Sequence, residues 1–380
     1  MSEWKEVRLG DVSTINAGGD APRGNMSKVK NEKFFIPIYS NSIDNQGLYG
    51  FTNKAIIDRP ACTITARGTI GVVFNRKEPF YPIVRLISVI ADESIIKNDF
   101  LYYLLRNTRI KGDGSVQEQF TVPMAKDIHL KIPTSIENQD QITGILSSLD
   151  AKIETNNKLN EKLEEMAQAI FKSWFVDFEP FKDKPFHETE LGMIPEGWEV
   201  GSLSDIATIT MGQSPRGTSY NENGEGIIFY QGRTEFGFRF PSVRLYTTAP
   251  SRFAEVGSTL MSVRAPVGDI NMALLRCCIG RGVASIKSNC DCDSYIYYLM
   301  KSLKKRFDIY NGEGTVFGSV GRDTLRGLLI TIPPSSVISD FEMNISKIDS
   351  RIKTNELESQ RLASLRDTLL PRLMSGELIV

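Results

Sequence analysis

The stretch from residue 142 to residue 174 repeats its apolar side chains every seven residues. One position of the repeat holds Ile142, Leu149, Asn156, Leu163 and Ile170, and the position four residues later holds Leu146, Ile153, Asn160, Ala167 and Trp174. The residues between them are mostly Glu, Lys, Asn and Gln, and none is proline. The pattern predicts a helix of about 50 Å with the narrow apolar seam of a coiled coil.

The same pattern returns 199 positions later. The matching seam positions are Phe341, Ile348, Asn355, Leu362 and Leu369, and Ile345, Ile352, Ser359, Arg366 and Leu373. A buried polar pair, such as Asn156 with Asn355 or a neighbour, fixes helix register at a cost in stability. We therefore expect an antiparallel pair of helices within one chain, and the less favoured alternative is two unrelated surface helices.

Composition limits the class of protein. The chain has 380 residues, of which 41% are hydrophobic, so it is long enough for two or three globular domains. No apolar run approaches the 18 or so residues that span a bilayer, and residues 1–20 lack the order of a signal peptide. Five Cys in an uneven pattern are typical of a reducing compartment, so we expect a cytoplasmic location.

Charge is distributed unevenly along the chain. Residues 1–134 hold 18 Lys and Arg against 14 Asp and Glu, and residues 198–333 hold 15 against 12. Residues 135–197 hold 6 against 13, and residues 334–380 hold 6 against 7. The two globular stretches are therefore basic and the first helical stretch is acidic, which suits globular parts that meet phosphate. Random drift of charge is the alternative.

The two basic stretches resemble each other in order. Residues 4–12 (WKEVRLGDV) and 198–207 (WEVGSLSDIA) each give an aromatic residue, a short strand pattern and a polar cap. Turn-rich loops follow, and both end in Pro-Arg-Gly, so that Arg23 and Arg216 are equivalent. Apolar strands are predicted at residues 34–40 and 227–231, and the second of these ends at Gln231.

Residues 66–74 (ARGTIGVVF) align with residues 263–271 (VRAPVGDIN) and place Arg67 opposite Arg264. A guanidinium at a strand end binds a phosphate or a guanine edge, or pairs with an acid of its own domain, and the sequence favours neither reading. Amphipathic helices are predicted at residues 100–111 and 295–307, followed by the loops GDGSVQ (residues 112–117) and GEGTVF (residues 312–317). Each copy closes with a strand and a proline, so the pattern predicts an α+β domain built on sheets.

These patterns divide the chain into five parts. We expect a first globular domain at residues 1–134, a long helix at 135–178, a connector at 179–197, a second globular domain at 198–334 and a second long helix at 335–380. The segment from residue 176 to residue 196 contains Pro180 and Pro185, which end the helix and predict an extended connection. The predicted arrangement is a pseudo-twofold pair of domains joined by an antiparallel coiled coil.

Motifs of enzymes are missing from the sequence. It contains no phosphate-binding Gly-x4-Gly-Lys-Ser/Thr loop and no dinucleotide fingerprint between a strand and a helix. The tetrapeptide at residues 332–335 (IPPS) lacks the amide or acid and the aromatic residue of the amino-methyltransferase motif. His129 and His187 stand apart, and the irregular spacing of Cys277, Cys278, Cys290 and Cys292 favours free thiols over a zinc site. We expect no metal and no bound cofactor.

Three stretches of the chain are more specific than the globular parts: the helix sequences LDAKIETNNKLNEKLEEMAQAIFKSWFVDF and IDSRIKTNELESQRLASLRDTLLPRLMSGEL, and the re-entry LGMIPEGWE. In these stretches and in the order of its parts, the chain resembles the specificity subunits of type I restriction-modification enzymes. The resemblance covers essentially the whole chain, although the globular stretches are only weakly specific.

This resemblance implies a non-catalytic subunit that binds double-stranded DNA. Each globular domain would be a target recognition domain that reads one half of a bipartite, asymmetric sequence. The helices would set the gap between the halves and dock two methylation subunits. Partner subunits would supply S-adenosylmethionine for adenine methylation, and restriction subunits would supply ATP and Mg²⁺ chemistry for cleavage.

Two other classes remain open from the sequence: a two-domain enzyme that arose by duplication, and a coiled-coil scaffold with domains that bind protein or sugar. For DNA contacts, the candidate side chains are Arg23, Arg67, Arg216, Gln231, Arg233 and Arg264.

Overall fold

The computed structural model describes residues 3–113, 118–311 and 318–380. The chain forms two compact units, of which unit 1 is Met1–Glu154 with Ser359–Val380 and unit 2 is Thr155–Glu358. The helices of the described residues are α1 (Asn98–Asn107), α2 (Val122–Lys126), α3 (Ile136–Phe175), α4 (Leu203–Ile206), α5 (Asp293–Ser302), α6 (Lys304–Phe307), α7 (Arg322–Arg326) and α8 (Ser335–Met374). The long helices α3 and α8 each contribute to both units.

Unit 1 is built on short sheets. Its strands are β1 (Trp4–Arg8), β2 (Ser13–Ala17), β3 (Ile36–Tyr39), β4 (Leu48–Thr52), β5 (Ala61–Ile64), β6 (Val73–Arg76), β7 (Tyr81–Pro82), β8 (Ile87–Ala91) and β9 (His129–Pro133). They pair as β1-β9, as β2-β8-β5-β6 and as β4-β3-β7, in which β3 and β7 run parallel. Apolar side chains from β5, β8 and α1 form its core, because β-branched residues on these strands face the apolar side of α1.

Parts of both long helices complete the core of unit 1. Ile142 and Leu146 of α3 pack in the same buried cluster as Leu370 and Leu373 of α8. An ion pair at 2.6 Å between Asp150 and Arg366 lies beside this cluster. The contacts therefore move toward the C-terminus of α3, from Ile142 to Asp150, as they move toward the N-terminus of α8, from Leu373 to Arg366. The two helix segments are thus antiparallel within unit 1.

Unit 2 repeats this plan with additions. Its strands are β10 (Phe186–Thr189), β11 (Gly192–Pro195), β12 (Glu199–Ser202), β13 (Ala207–Met211), β14 (Tyr220–Asn221), β15 (Ile227–Tyr230), β16 (Leu245–Thr247), β17 (Phe253–Ala254), β18 (Thr259–Ser262), β19 (Ile270–Met272), β20 (Cys277–Ile279), β21 (Val283–Ser288) and β22 (Leu329–Ile332). The sheets β12-β22 and β13-β21-β18-β19 match β1-β9 and β2-β8-β5-β6 of unit 1. The sheet β14-β16-β15-β20-β17 keeps the parallel pair and adds a strand at either edge.

Buried asparagines join the long helices within unit 2. The side-chain amide of Asn355 donates to Asn160 Oδ1 at 2.8 Å, and the amide of Asn156 donates to Glu358 Oε2 at 2.8 Å and to the carbonyl of Asn355 at 3.4 Å. A cluster of aromatic rings, in which Phe171 and Phe175 contact Phe341, lies at the other end of this helix pair. The expected buried asparagine contact is present, but the side-chain partner of Asn355 is Asn160.

The predicted seam residues face inward. Each of them is buried or partly buried in the structure: Ile142, Leu146, Leu149, Ile153, Asn156, Leu163, Ile170, Ile345, Ile348, Ile352, Asn355, Leu362 and Leu369. Both helices are longer than the predicted seam. Each begins about six residues before the first seam residue, directly after a strand and a short turn.

The connector differs from the prediction of an extended chain. Strands β10 and β11 form an antiparallel hairpin, and Phe181 and Ile194 are buried in the core of unit 2. Pro180 and Pro185 follow the end of the helix as predicted, but they do not predict the short strands after it. These strands form because Ile194 packs against the apolar core of unit 2. Of the predicted glycine loops, residues 114–117 and residues 312–317 lie outside the described residues.

Candidate nucleic-acid interface

The turn that carries Arg67 is closed by one side-chain hydroxyl. Thr65 lies directly after β5, donates from Oγ1 to the carbonyl of Thr69 at 2.5 Å and accepts the N–H of Val72 at 2.9 Å. Its backbone N–H and carbonyl are bonded across the same turn, to Val72 and Gly71 respectively, each at 3.0 Å. Thr65 therefore closes the turn on both sides and holds Arg67 at the end of the strand.

Unit 2 contains the same turn. Ser262 Oγ donates to the carbonyl of Pro266 at 2.8 Å and accepts the N–H of Asp269 at 2.9 Å, and Gly268 donates to the Ser262 carbonyl at 3.0 Å. Arg264 occupies the position that Arg67 holds in unit 1. The alignment of residues 66–74 with residues 263–271 is thus confirmed by the hydrogen bonds.

The guanidinium of Arg67 is only partly satisfied. Its Nη2 donates to Gln119 Oε1 at 3.2 Å, while Nε is buried without a hydrogen-bond partner. Among the described residues, its recorded partner is thus an amide and not an acid. Because the residue is partly exposed and no carboxylate of the described residues pairs with it, its charge is suited to an acceptor from outside the chain. Arg264 is exposed, and its backbone bridges to Ser319.

A second basic residue stands on a neighbouring loop of unit 1. Asn41 links this loop to the turn, since its Nδ2 donates to the carbonyl of Val84 at 2.5 Å and its Oδ1 accepts the N–H of Ala66 at 2.7 Å. Val84 and Arg85 have φ values of 53° and 60°, a conformation that side-chain-bearing residues rarely adopt. Arg85 is exposed there, one loop away from Arg67.

Buried Arg76 supports the same side of unit 1. Its Nη2 donates to the carbonyl of Gln46 at 2.6 Å, its Nε donates to Thr63 Oγ1 at 3.0 Å, and its guanidinium lies 3.6 Å from the ring centroid of Tyr39. Burial lowers the pKa of Arg76 to about 10, so the side chain keeps its charge at neutral pH. It fixes the end of β3, from which Asn41 follows.

The matching loops of unit 2 meet around Gln231. The carbonyl of Gln231 accepts the N–H of Gly282 at 3.3 Å, and the carbonyl of Gly282 accepts the N–H of Val263, beside Arg264, at 3.0 Å. A Cβ at Gly280 would lie 2.9 Å from the Gln231 carbonyl oxygen, so the close approach requires glycine. Arg281 is exposed on this loop, and its backbone N–H donates to Ser214 Oγ at 3.2 Å.

Of the other predicted contacts, Arg23 and Arg216 lie on turns of their own, and Arg233 pairs with an acid of the turn that carries Arg264. Arg23 and Arg216 are exposed on turns closed by Asn25 N–H to Pro22 and by Ser219 N–H to the Arg216 carbonyl. Arg233 is exposed as well, but its Nε pairs with Asp269 at 3.0 Å. That ion pair makes Arg233 a weaker candidate for phosphate, because a partner carboxylate already offsets its charge.

Sequence reasoning did not find Asn41, Arg85 or Arg281. Their loops follow different strands and come together only once those strands have paired. A signal was present in the Gly-Arg-Gly at residues 280–282, since glycines beside an arginine indicate close backbone approach.

No metal chemistry is evident in the described part of the chain. Cys277 and Cys278 are buried in β20, Cys292 is buried before α5, and Cys290 is exposed. Within residues 3–113, 118–311 and 318–380, His, Cys, Asp and Glu form no group of three that is able to hold a metal ion. Over the same residues, no helix has the length and apolar character that a bilayer span requires.

Known proteins are similar to this chain over its whole length. The family model for the type I restriction modification DNA specificity domain matches residues 1–165 and 195–366. The putative type I restriction enzyme MjaX specificity subunit of Methanocaldococcus jannaschii is 33% identical over 82% of this chain and 76% of its own length. The type I restriction enzyme HindI specificity subunit of Haemophilus influenzae is 24% identical over 100% of both chains.

A solved structure has the same fold. The crystal structure of a type I restriction-modification system S subunit from M. genitalium matches 98% of this chain and 96% of its own, with a TM-score of 0.66 and 14% sequence identity. The family model covers each globular stretch separately, as the internal repeat requires. The chain belongs to the family of type I restriction-modification specificity subunits.

Proposed function

We propose that each globular domain of this chain reads one half of a bipartite, asymmetric DNA target. The observation that carries the proposal is the repeated hydroxyl-closed turn, which presents Arg67 in unit 1 and Arg264 in unit 2 from identical hydrogen-bond patterns. The neighbouring loops differ, with Asn41 and Arg85 in unit 1 and with Gln231 and Arg281 in unit 2. A shared turn with different neighbours suits two readers of different bases.

Charge supports DNA as the ligand. The globular stretches at residues 1–134 and 198–333 carry excesses of four and three positive charges, whereas residues 135–197 carry an excess of seven negative charges. Phosphate contacts from Lys and Arg provide most of the affinity for DNA, and base contacts provide the selectivity. Arg23 and Arg216 fit the first role, since both are exposed on turns.

The long helices form the other half of the proposal. We propose that α3 and α8 pair as an antiparallel coiled coil and that the two halves of the chain are related by a pseudo-twofold axis. The domains would have the limits predicted from the sequence, with globular domains at residues 1–134 and 198–334. The helix pair would set the gap between the two half-sites. Their outer faces dock two methylation subunits. The chain itself carries no chemistry: methylation subunits hold S-adenosylmethionine, and restriction subunits with ATP and Mg²⁺ join the complex in the cytoplasm.

The direct test is a map of methylated adenines in the host genome with and without this gene. Methylation at a two-part motif with a fixed gap should disappear when the gene is deleted and return when it is restored. Unchanged methylation, together with DNA binding that is equal for all sequences, contradicts the proposal and favours a scaffold that binds protein or sugar.

A further inference from the structure

We call residues 231–244 of unit 2 the strap. It begins at Gln231, where the loops of unit 2 meet, and also contains Arg233. Glu235 closes it, because its buried carboxylate accepts Arg244 Nη2 at 2.6 Å and its carbonyl accepts the N–H of Ser242 at 2.8 Å. Arg239, in the middle of the strap, is 1% exposed. A fully buried arginine in a loop needs a built set of partners.

Those partners belong to the long helices and to α5. Arg239 Nη1 donates to Asp349 Oδ1 of α8 at 2.8 Å, and Nη2 donates to Glu164 of α3 and to the hydroxyl of Tyr298 at 2.5 Å. Lys301 donates to the other oxygen of Glu164 at 2.5 Å. The guanidinium thus contacts both long helices at once.

Further contacts hold the backbone and the plane of this arginine. The N–H of Arg239 donates to Glu356 Oε1 of α8 at 3.1 Å, and the guanidinium lies 4.1 Å from the ring centroid of Tyr297. Burial disfavours the charge, but the facing tyrosines and carboxylates raise the pKa of Arg239 above its usual value. The same ion pairs lower the pKa of Glu164 despite its burial. Arg239 and Glu164 are therefore both ionised at neutral pH.

Unit 1 has the corresponding cluster but obtains its guanidinium from a helix. Asp150, 199 positions before Asp349, accepts the hydroxyl of Tyr103 at 2.7 Å and Arg366 Nη1 at 2.6 Å. The residue 199 positions before Arg366 is Ala167, which has no charge to offer. In unit 2 the strap supplies the missing guanidinium.

We propose that Arg239 is a positioning residue that ties the strap to the helix pair, so that base reading by unit 2, and not by unit 1, depends on this anchor. The proposal rests on the proposed function. The internal repeat does not share this anchor, because the two units use an equivalent, partly buried aspartate and an equivalent tyrosine with arginines of different origin.

Three variants separate two roles of Arg239: anchoring the strap to the long helices, and offsetting the charges of Glu164 and Asp349. Arg239→Met removes both. Arg239→Met combined with Ala167→Arg supplies a guanidinium from α3, as Arg366 does in unit 1, and so keeps the charge balance without the anchor. Arg366→Met is the matched control, since it removes the corresponding guanidinium of unit 1 without touching a strap.

The assay uses the full chain assembled with its methylation subunits. Dissociation constants are measured for the natural target and for duplexes with single-base changes in either half. The combined variant should lose discrimination by about tenfold or more at one half of the target, with the other half unchanged. Arg366→Met should leave discrimination at that half unchanged, and thermal unfolding should show that the combined variant is folded.

Two results overturn the proposal. Full discrimination by the combined variant means that Arg239 only balances charge, and equal relaxation at both halves means that the effect is general destabilisation. If the combined variant does not fold, Arg239→Lys replaces it, because lysine keeps the charge but cannot span Glu164 and Asp349 together. Unchanged discrimination by Arg239→Lys also overturns it. A wild-type complex without any two-part target contradicts the proposed function instead.

Discussion

Thr65 and Ser262 determine where the candidate arginines point. Each hydroxyl donates one hydrogen bond and accepts another inside its turn, so its removal leaves a backbone carbonyl and an N–H unpaired. A buried polar group without a partner costs about 1–3 kcal/mol. These residues therefore support the arginines without being contacts themselves.

Thr65→Val should reduce the free energy of unfolding by about 1–3 kcal/mol, because valine has the shape of threonine without its hydrogen bonds. Urea denaturation measures the change. Thr134→Val is the matched control, since the Thr134 hydroxyl bonds to the Glu3 carbonyl at an exposed site and its loss should cost less than about 0.5 kcal/mol. Equal effects of the two variants would contradict the role of the turn.

Arg281→Gln should weaken DNA binding of the assembled complex and reduce the slope of log affinity against log salt by about 1 if the guanidinium meets a phosphate. If it reads a base, discrimination at one position should fall instead. Arg276→Gln is the control. Arg276 lies directly before the first residue of β20, whereas Arg281 follows the last one, and its charge is already paired with Glu255 at 2.9 Å. If Arg276→Gln weakens DNA binding more than Arg281→Gln does, the loop at residues 280–282 is not part of the DNA interface.

Glu356 makes the stability of unit 2 depend on pH. Burial raises its pKa to about 7, although the N–H and the guanidinium of Arg239 act in the opposite direction, and Glu164 is the nearby like charge. The folded state therefore holds the proton more tightly than the unfolded state does. Its contribution to stability is greatest below the unfolded pKa and is lost as pH rises toward the folded one.

Glu356→Gln removes this titration, so the fall in unfolding free energy between about pH 5 and about pH 8 should be smaller in the variant than in the wild type. Urea denaturation at several pH values tests this. Some slope should remain, because burial also raises the pKa of Glu342. An identical slope in both proteins would show that Glu356 does not titrate in this range.

At the scale of the elements, the helix pair of unit 2 combines apolar seam residues with buried asparagines. The amide of Asn355 bonds to Asn160 at 2.8 Å, and both side chains are almost fully buried. Replacement of one partner leaves the other unpaired, while replacement of both leaves an apolar contact of similar size. The two cases differ in sign as well as in size.

Asn355→Leu alone should lower the unfolding free energy by about 1–3 kcal/mol, whereas Asn160→Leu with Asn355→Leu should be close to neutral or stabilising. A double-mutant cycle by chemical denaturation gives the coupling energy. Strictly additive effects would mean that the two side chains do not depend on each other. A gain in stability with loss of target selectivity would indicate that the asparagines set helix register.

Elements with a strong repeat were predictable, and those that depend on distant contacts were not. The seven-residue period predicted the long helices, and the internal repeat predicted the matching of Arg67 with Arg264. The hairpin of β10 and β11 was missed because its strands are short and packed by residues far along the chain. Arg239 was missed because its partners Glu164 and Asp349 lie 75 and 110 residues away.

At the scale of the whole molecule, the chain is a duplication whose two halves differ in the loops around Arg67 and Arg264 and in the arginine that meets the long helices. Both units keep an aspartate on a long helix bonded to a tyrosine, at 2.7 Å for Asp150 and 3.0 Å for Asp349. The loops around Arg67 and Arg264 keep one turn and change its neighbours.

The proposed spacer role predicts the effect of helix length. One heptad inserted into each long helix, between Glu154 and Thr155 and between Glu358 and Ser359, preserves the seam and adds about 10 Å of helix. The gap between half-sites should then grow by about three base pairs, since DNA rises about 3.4 Å per pair.

The bases read in each half should stay the same, because no recognition loop is altered. Methylation mapping of a strain that carries only the lengthened gene gives both the gap and the bases. Two-residue insertions are the control: at 3.6 residues per turn they rotate the following side chains by about 200° and turn apolar residues out of the seam, so they should destabilise the chain and abolish methylation without defining a new gap. An unchanged gap in a folded, active heptad variant would contradict a spacer role for α3 and α8.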